Sequence, residues 1–151
     1  MPFQLFHTLF PDAAERETRS IMVLPESNLG LPACSYSFLE MFCDEPGCDC
    51  RRVFFTVVSS DRKNIEAVVA WGWENRNFYR KWLKYGSEID VDCLKGPILN
   101  PGSQQSELAP MILNLVNDIL LRDQRYIKRI KKHYSMFRQQ IDEREIRSNL
   151  D

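Results

Sequence analysis

Three consecutive stretches of strand length, joined by links short enough to force reversals, constrain this chain more than any other feature. Residues 35–43 carry Tyr36, Phe38, Leu39, Met41 and Phe42, residues 51–59 carry Val53-Phe54-Phe55-Thr56-Val57-Val58, and residues 65–73 carry Ile65 and Ala67-Val68-Val69-Ala70-Trp71. β-Branched and aromatic residues pack well on a pleated surface, so each run reads as a strand. The polar stretch Ser59 to Asn64 separates the second and third runs as a hairpin loop would. Successive strands with short links pair antiparallel, which predicts a meander. Arg19 to Leu24, ended by Pro25, offers a fourth strand, and residues 25–33, with two prolines, Asn28 and Gly30, read as a loop. Before them, Pro11-Asp12 marks a turn or short helix start after the apolar Phe3, Leu5, Phe6, Leu9 and Phe10.

Beyond residue 74 the hydrophobic period lengthens. Phe78, Tyr79, Trp82 and Leu83 define a short amphipathic helix over Asn75 to Tyr85, ended by Gly86. Residues 86–106, with Gly96-Pro97 and Asn100-Pro101-Gly102 as breakers, read as irregular. Leu108, Ile112, Leu115, Val116 and Ile119 then recur at helical spacing, with Pro110 in the first turn. Tyr126, Ile127, Ile130, Tyr134, Phe137 and Ile141 continue the stripe after Asp123 interrupts it, predicting two helices or one kinked helix. After Asp142 the chain is almost wholly polar and is expected to fray. The 151 residues suit one domain with a sizeable core. The expectation is a single α+β domain over 1–151, an antiparallel β-meander of three to four strands packed against C-terminal helices.

Side-chain chemistry concentrates in Cys43-Asp44-Glu45-Pro46-Gly47-Cys48-Asp49-Cys50-Arg51-Arg52. In an extended segment Cys48 and Cys50 point to one side, and the turn at Pro46-Gly47 folds Cys43 back toward them. Zinc takes four tetrahedral ligands and thiolate sulfur suits it, so Cys43, Cys48 and Cys50 read as three ligands of a zinc site. His133, which faces the core between Ile130 and Phe137, is the first candidate for the fourth. Cys93, in a segment read as loop, is the next, and water, Asp44 or Asp49 are further alternatives. Cys34 would lie ~30 Å from Cys43 along one straight strand and on the opposite face. Thiolate-rich zinc sites are usually structural; a catalytic one needs an open position and a base, for which Glu40 and Glu45 are near in sequence. A redox pair or three packed thiols are the remaining readings. Arg51 and Arg52 are expected to lower the pKa of a neighbouring thiol.

Charge and composition narrow the partners. Twenty basic against twenty-one acidic residues leave a net charge of −1, which gives no overall field toward nucleic acid or an anionic membrane. No apolar run approaches the ~20 residues of a membrane span, and the first residues lack a basic n-region and a long h-region. A cytoplasmic location is expected, where an odd count of five cysteines fits thiols or metal ligands better than disulfides. The aromatic and basic run from Trp71 to Trp82 could stack on nucleobases, but reads better as a strand-to-helix corner filling the core. Lys128, Arg129, Lys131, Lys132 and Arg138 read as a solvated helix face, since Asp142, Glu143 and Glu145 follow. His7 is isolated, and neither a phosphate loop nor a nucleophile elbow is present in the sequence.

Tyr36 to Val53, with its Cys-Asp-Cys-Arg-Arg core, resembles a group of small uncharacterised bacterial and archaeal proteins. The similarity extends to Trp71-Gly72-Trp73-Glu74, to Phe78-Tyr79-Arg80-Lys81-Trp82 and to Lys131-Lys132-His133-Tyr134. The group has no established activity, so the resemblance implies no functional residues. From the residues themselves, the expectation is a zinc-binding domain with a structural metal, acting in protein or nucleic-acid interaction. The alternative is a metal-dependent or thiol-based enzyme centred on the same cysteines.

Overall fold

A computed structural model describes residues 3–150. Along the chain run β1 (Phe3–Leu5), α1 (Phe6–Leu9), α2 (Pro11–Glu17), β2 (Arg19–Met22), β3 (Ser35–Cys43), β4 (Arg52–Ser59) and β5 (Ile65–Gly72). They are followed by α3 (Arg76–Leu83), α4 (Glu88–Lys95), β6 (Ile98–Leu99), α5 (Ala109–Asp118), a 3₁₀ turn at Leu120–Arg122 and α6 (Gln124–Leu150). The fold is α+β, with β3, β4 and β5 forming the expected antiparallel meander. The sheet is open and six-stranded rather than three- to four-stranded, in the order β1-β3-β4-β5-β6. β1 and β2 share one edge, β1 pairing with the end of β3 and β2 with its beginning. The extra strands are three and two residues long, too short to show a period of their own.

Alternation along β3 explains where the core lies. Tyr36, Phe38, Glu40 and Phe42 are buried on the inner face, while Ser37, Leu39 and Met41 are half-buried on the other. Val53, Phe55 and Val57 of β4 and Ala67, Val69 and Trp71 of β5 continue the inner face. α5 and α6 cover it with Ile112, Leu115 and Val116 and with Tyr126, Ile130, Phe137 and Ile141, spaced three and four apart as one helix face requires. The outer face has a smaller apolar cluster of Phe54, Val68 and Ala70, with Phe3 stacked on Phe54 at 4.0 Å between centroids.

The break at Asp123 separates two helices. Asp123 Oδ1 accepts from the backbone N–H groups of Arg125 and Tyr126 at 3.1 and 3.2 Å, capping the start of α6. The segment 86–106 differs from the expected irregular loop, because Glu88–Lys95 is helical. Ser87 and Asp90 form a reciprocal capping box that starts it. Helix α6 continues to Leu150 beyond the expected point of fraying, and residues 143–150 are exposed. The run from Trp71 to Trp82 is a strand-to-helix corner in which Trp71 and Tyr79 are buried and Trp82 is exposed. Among the described residues no helix is long and apolar enough to cross a membrane.

Candidate metal centre

The link between β3 and β4 brings three sulfurs together. Cys43 ends β3, and its side chain lies on the outer face because Phe42 takes the inner one. The chain then reverses at Glu45-Pro46-Gly47-Cys48, where the Cys48 N–H donates to the Glu45 carbonyl at 3.2 Å and Gly47 has φ +74°. Proline second and a left-handed glycine third are the residues a type II turn requires. The Sγ atoms of Cys43, Cys48 and Cys50 all lie within 4.8 Å of one another. A tetrahedral zinc with ~2.3 Å bonds holds its sulfurs roughly 3.8 Å apart, so a slight closure would let the three embrace such an ion. Cys43 and Cys50 are buried, and Cys48 is half-buried.

Two tyrosines set the exit of the loop. Arg51 has φ +52°, a left-handed conformation that costs a non-glycine residue roughly 1–2 kcal/mol. Both of its backbone groups are held by phenols. Its N–H donates to Tyr134 Oη at 3.2 Å, and its carbonyl accepts from Tyr79 Oη at 2.8 Å. Tyr79 can stand there because position 72 is glycine: a Cβ on Gly72 would lie 2.1 Å from the Tyr79 hydroxyl. The Arg51 side chain pairs with Asp49 at 2.9 Å and stacks over Phe78.

Helix α6 closes the other side. Tyr134, Arg138 and Asp142 recur every four residues and so share one face. Arg138 donates through Nη1 to the Cys43 carbonyl at 2.5 Å and through Nη2 to the Glu45 carbonyl at 2.7 Å. Asp142 Oδ1 accepts from the Gly47 N–H at 3.0 Å. Arg138, expected on a solvated basic face, is instead buried, while Lys128, Lys131 and Lys132 are exposed. Its buried Nε has no partner among the described residues.

The electrostatics of the trio differ from expectation. Burial, with the crowding of Cys48 and Cys43, pushes the Cys50 thiol up to about 12, and burial likewise raises Cys43. Arg51 does not reverse this because its guanidinium is committed to Asp49. Without a metal these two groups are thiols at neutral pH, poor nucleophiles by themselves. A divalent ion would stabilise the thiolates and release their protons.

His133 is not part of this group. It is buried against the inner face between two carboxylates, Nδ1 at 2.7 Å from Glu40 Oε1 and Nε2 at 2.7 Å from Glu17 Oε2. Both ring nitrogens are thus engaged, leaving none for a metal. Burial by itself lowers the imidazole, but the hydrogen bonds to Glu40 and Glu17 outweigh it and raise His133. Tyr126 Oη donates to the other Glu40 oxygen at 2.8 Å, and the Phe6 ring stacks on the imidazole at 4.2 Å. Glu40 therefore points away from the sulfurs, and Glu45, in the turn itself, is exposed. Cys93 lies on α4 rather than in a loop, exposed and outside the trio. Cys34 precedes the far end of β3.

The Glu17–His133–Glu40–Tyr126 chain escaped the sequence reading, since its members are up to 116 residues apart. The only local signal was a histidine within an apolar helix stripe. Comparison with family models, with curated proteins and with solved structures gives no significant match.

Proposed function

We propose that Cys43, Cys48 and Cys50 hold a zinc ion whose role is structural, and that the protein acts through contacts with another macromolecule. The observation that carries the reading is the convergence of three sulfurs within 4.8 Å on a loop that has no other internal core. Bound zinc would supply the cross-link that such a loop lacks. The chain's own residues prepare for it. Arg138 holds the carbonyls of Cys43 and Glu45, and Tyr134 and Tyr79 hold the backbone of Arg51. Such outer partners are what keep ligands aimed.

The raised thiols of Cys43 and Cys50 argue against a metal-free nucleophile, and the placement of Glu40 argues against a hydrolytic centre. The fourth position falls to water or to a group from outside the trio. Metal analysis of the purified protein tests the reading. One zinc per chain is expected, with cobalt substitution giving the sulfur-to-metal charge-transfer bands of a thiolate site. Metal-free protein whose Cys48 reacts at once with a thiol reagent would reject it.

A further inference from the structure

Arg52 opens β4 on the outer face and is only 7% exposed. Its guanidinium carbon stands 5.1 Å from the centre of the Phe54 ring, and its Nε donates to the Leu94 carbonyl near the end of α4 at 2.9 Å. The two terminal nitrogens, which carry four N–H donors, have no hydrogen-bond or carboxylate partner among the described residues. After burial, the largest effects on this guanidinium come from the charges of Cys50, Tyr79, Cys43 and Cys48. The residue is largely covered while its terminal nitrogens keep access to solvent. A guanidinium so largely desolvated gains most from an anion placed against it, because taking a charge out of water is costly.

The guanidinium borders a cavity of about 270 Å³ between α4 and the outer face of the sheet. Phe54, Leu83, Leu94, Ile98 and Pro101 make most of its walls apolar, and Asn100 adds a polar edge. Asp90 is the one carboxylate on the lining, and its Oδ2 is committed to the Ser87 N–H and hydroxyl. Apolar walls converging on a few polar groups are the usual composition of a small-molecule site. A planar guanidinium matches a carboxylate through two parallel hydrogen bonds, whereas apolar walls disfavour a doubly charged, strongly hydrated phosphate.

We propose that this cavity binds a small carboxylate with an apolar body, its carboxylate held by the free edge of Arg52 and its body against Phe54, Leu83, Leu94 and Ile98. The cavity is lined by none of the three sulfurs of the metal reading, although Arg52 lies within range of their charge. Zinc content is therefore measured on the same sample, so that failure of this site and failure of the metal reading are told apart.

Phenylacetate, added to the full-length protein and followed by backbone NMR, is the test. Saturable shifts centred on Arg52, Leu94, Ile98 and Asn100 are expected, with the neutral phenylacetamide weaker by about tenfold or more, as loss of a charge-assisted bidentate pair implies. Cys93 is exposed on the same lining, so occupancy should also slow its alkylation by iodoacetamide, read by peptide mass. Arg52→Met should abolish binding. Because that change also removes the donor to Leu94, Cys93→Trp, which fills the mouth and leaves Arg52 intact, should abolish it independently. Absence of saturable binding would overturn the proposal. So would equal affinity for the amide, binding of inorganic phosphate as tight as that of phenylacetate, or undiminished binding by Cys93→Trp.

Discussion

Two neighbouring stretches where β3 meets α6 solve the problem of buried polar chemistry in opposite ways. Around His133, every polar atom of the imidazole has a partner within the chain. Glu17, Glu40 and Tyr126 form a continuous hydrogen-bonded line with it. Around Cys43, Cys48 and Cys50, side chains from α3 and α6 hold the loop backbone. The three sulfurs converge within 4.8 Å of one another, with backbone contacts from Glu45 to Cys43 and from Arg52 to Cys50. A network closed on itself has structural work and no vacancy for a ligand. A braced set of soft donors converging on one point is what a metal-binding centre looks like. The contrast explains why a histidine that reads from sequence as a zinc ligand is instead a clasp between α2, β3 and α6.

The comparison can be broken at several points. The largest expected effect on stability comes from His133→Ala, which leaves the buried Glu40 carboxylate without its cation and should cost about 3–5 kcal/mol in a denaturant titration. The same variant should keep its full zinc content. Loss of zinc with His133 would join the two regions that the structure separates. Cys50→Ser has the converse profile: zinc content should fall to background, with a stability loss confined to metal-loaded protein. Equal zinc in Cys50→Ser and wild type would remove the centre altogether.

Arg138→Met should act between these extremes. It strips the donors from the Cys43 and Glu45 carbonyls, and loss of such an outer partner typically weakens metal binding about 10–100-fold, measured by chelator competition. Unchanged affinity would mean that the loop holds its shape without α6.

A smaller effect should appear with pH. His133 is raised above its ordinary 6.5 by its two carboxylates against the opposing effect of burial, so its contribution is complete below 6.5 and is lost as pH rises through the folded value. Glu17 is held below 4.5, chiefly by its hydrogen bond to His133 and also by Lys132 and Arg129, so its contribution is present above 4.5 and is lost as pH falls. The clasp is therefore strongest between these two values. The denaturation midpoint should decline above pH 6.5 in wild type, and a His133→Gln variant showing the same decline would assign it to another group.

The smallest change expected is Gly47→Ala. No atom lies within 4 Å of the added methyl, so only φ +74° opposes it, a cost of about 1 kcal/mol. A cost several times larger would indicate that the turn is packed more tightly than its open surroundings imply.

Much of the architecture is legible in local pattern. The alternation in residues 35–43, the β-branched run of β4 and the three-and-four spacing of α5 and α6 each report which face is apolar, and that is a property of nearest neighbours along the chain. The sulfur trio is legible for the same reason: eight residues and one Pro-Gly turn bring it together. Helix α4 was obscured because the breakers Gly96-Pro97 and Asn100-Pro101-Gly102 dominate its surroundings, although Ser87 and Asp90 carry its start signal. Strands β1 and β6 owe their existence to the edges they pair with.

What the sequence determines by itself is thus the α+β class, the meander and the meeting of Cys43, Cys48 and Cys50. The tertiary structure alone decides that His133 turns to Glu17 and Glu40, that Arg138 leaves its helix's basic face for two loop carbonyls, and that Arg52 stands beside a cavity without a carboxylate partner. The reason is physical. A period or a turn is fixed by interactions over a few residues, whereas the partner of a buried charge is whichever group the packing of distant elements delivers, and that distance leaves no imprint on local spacing.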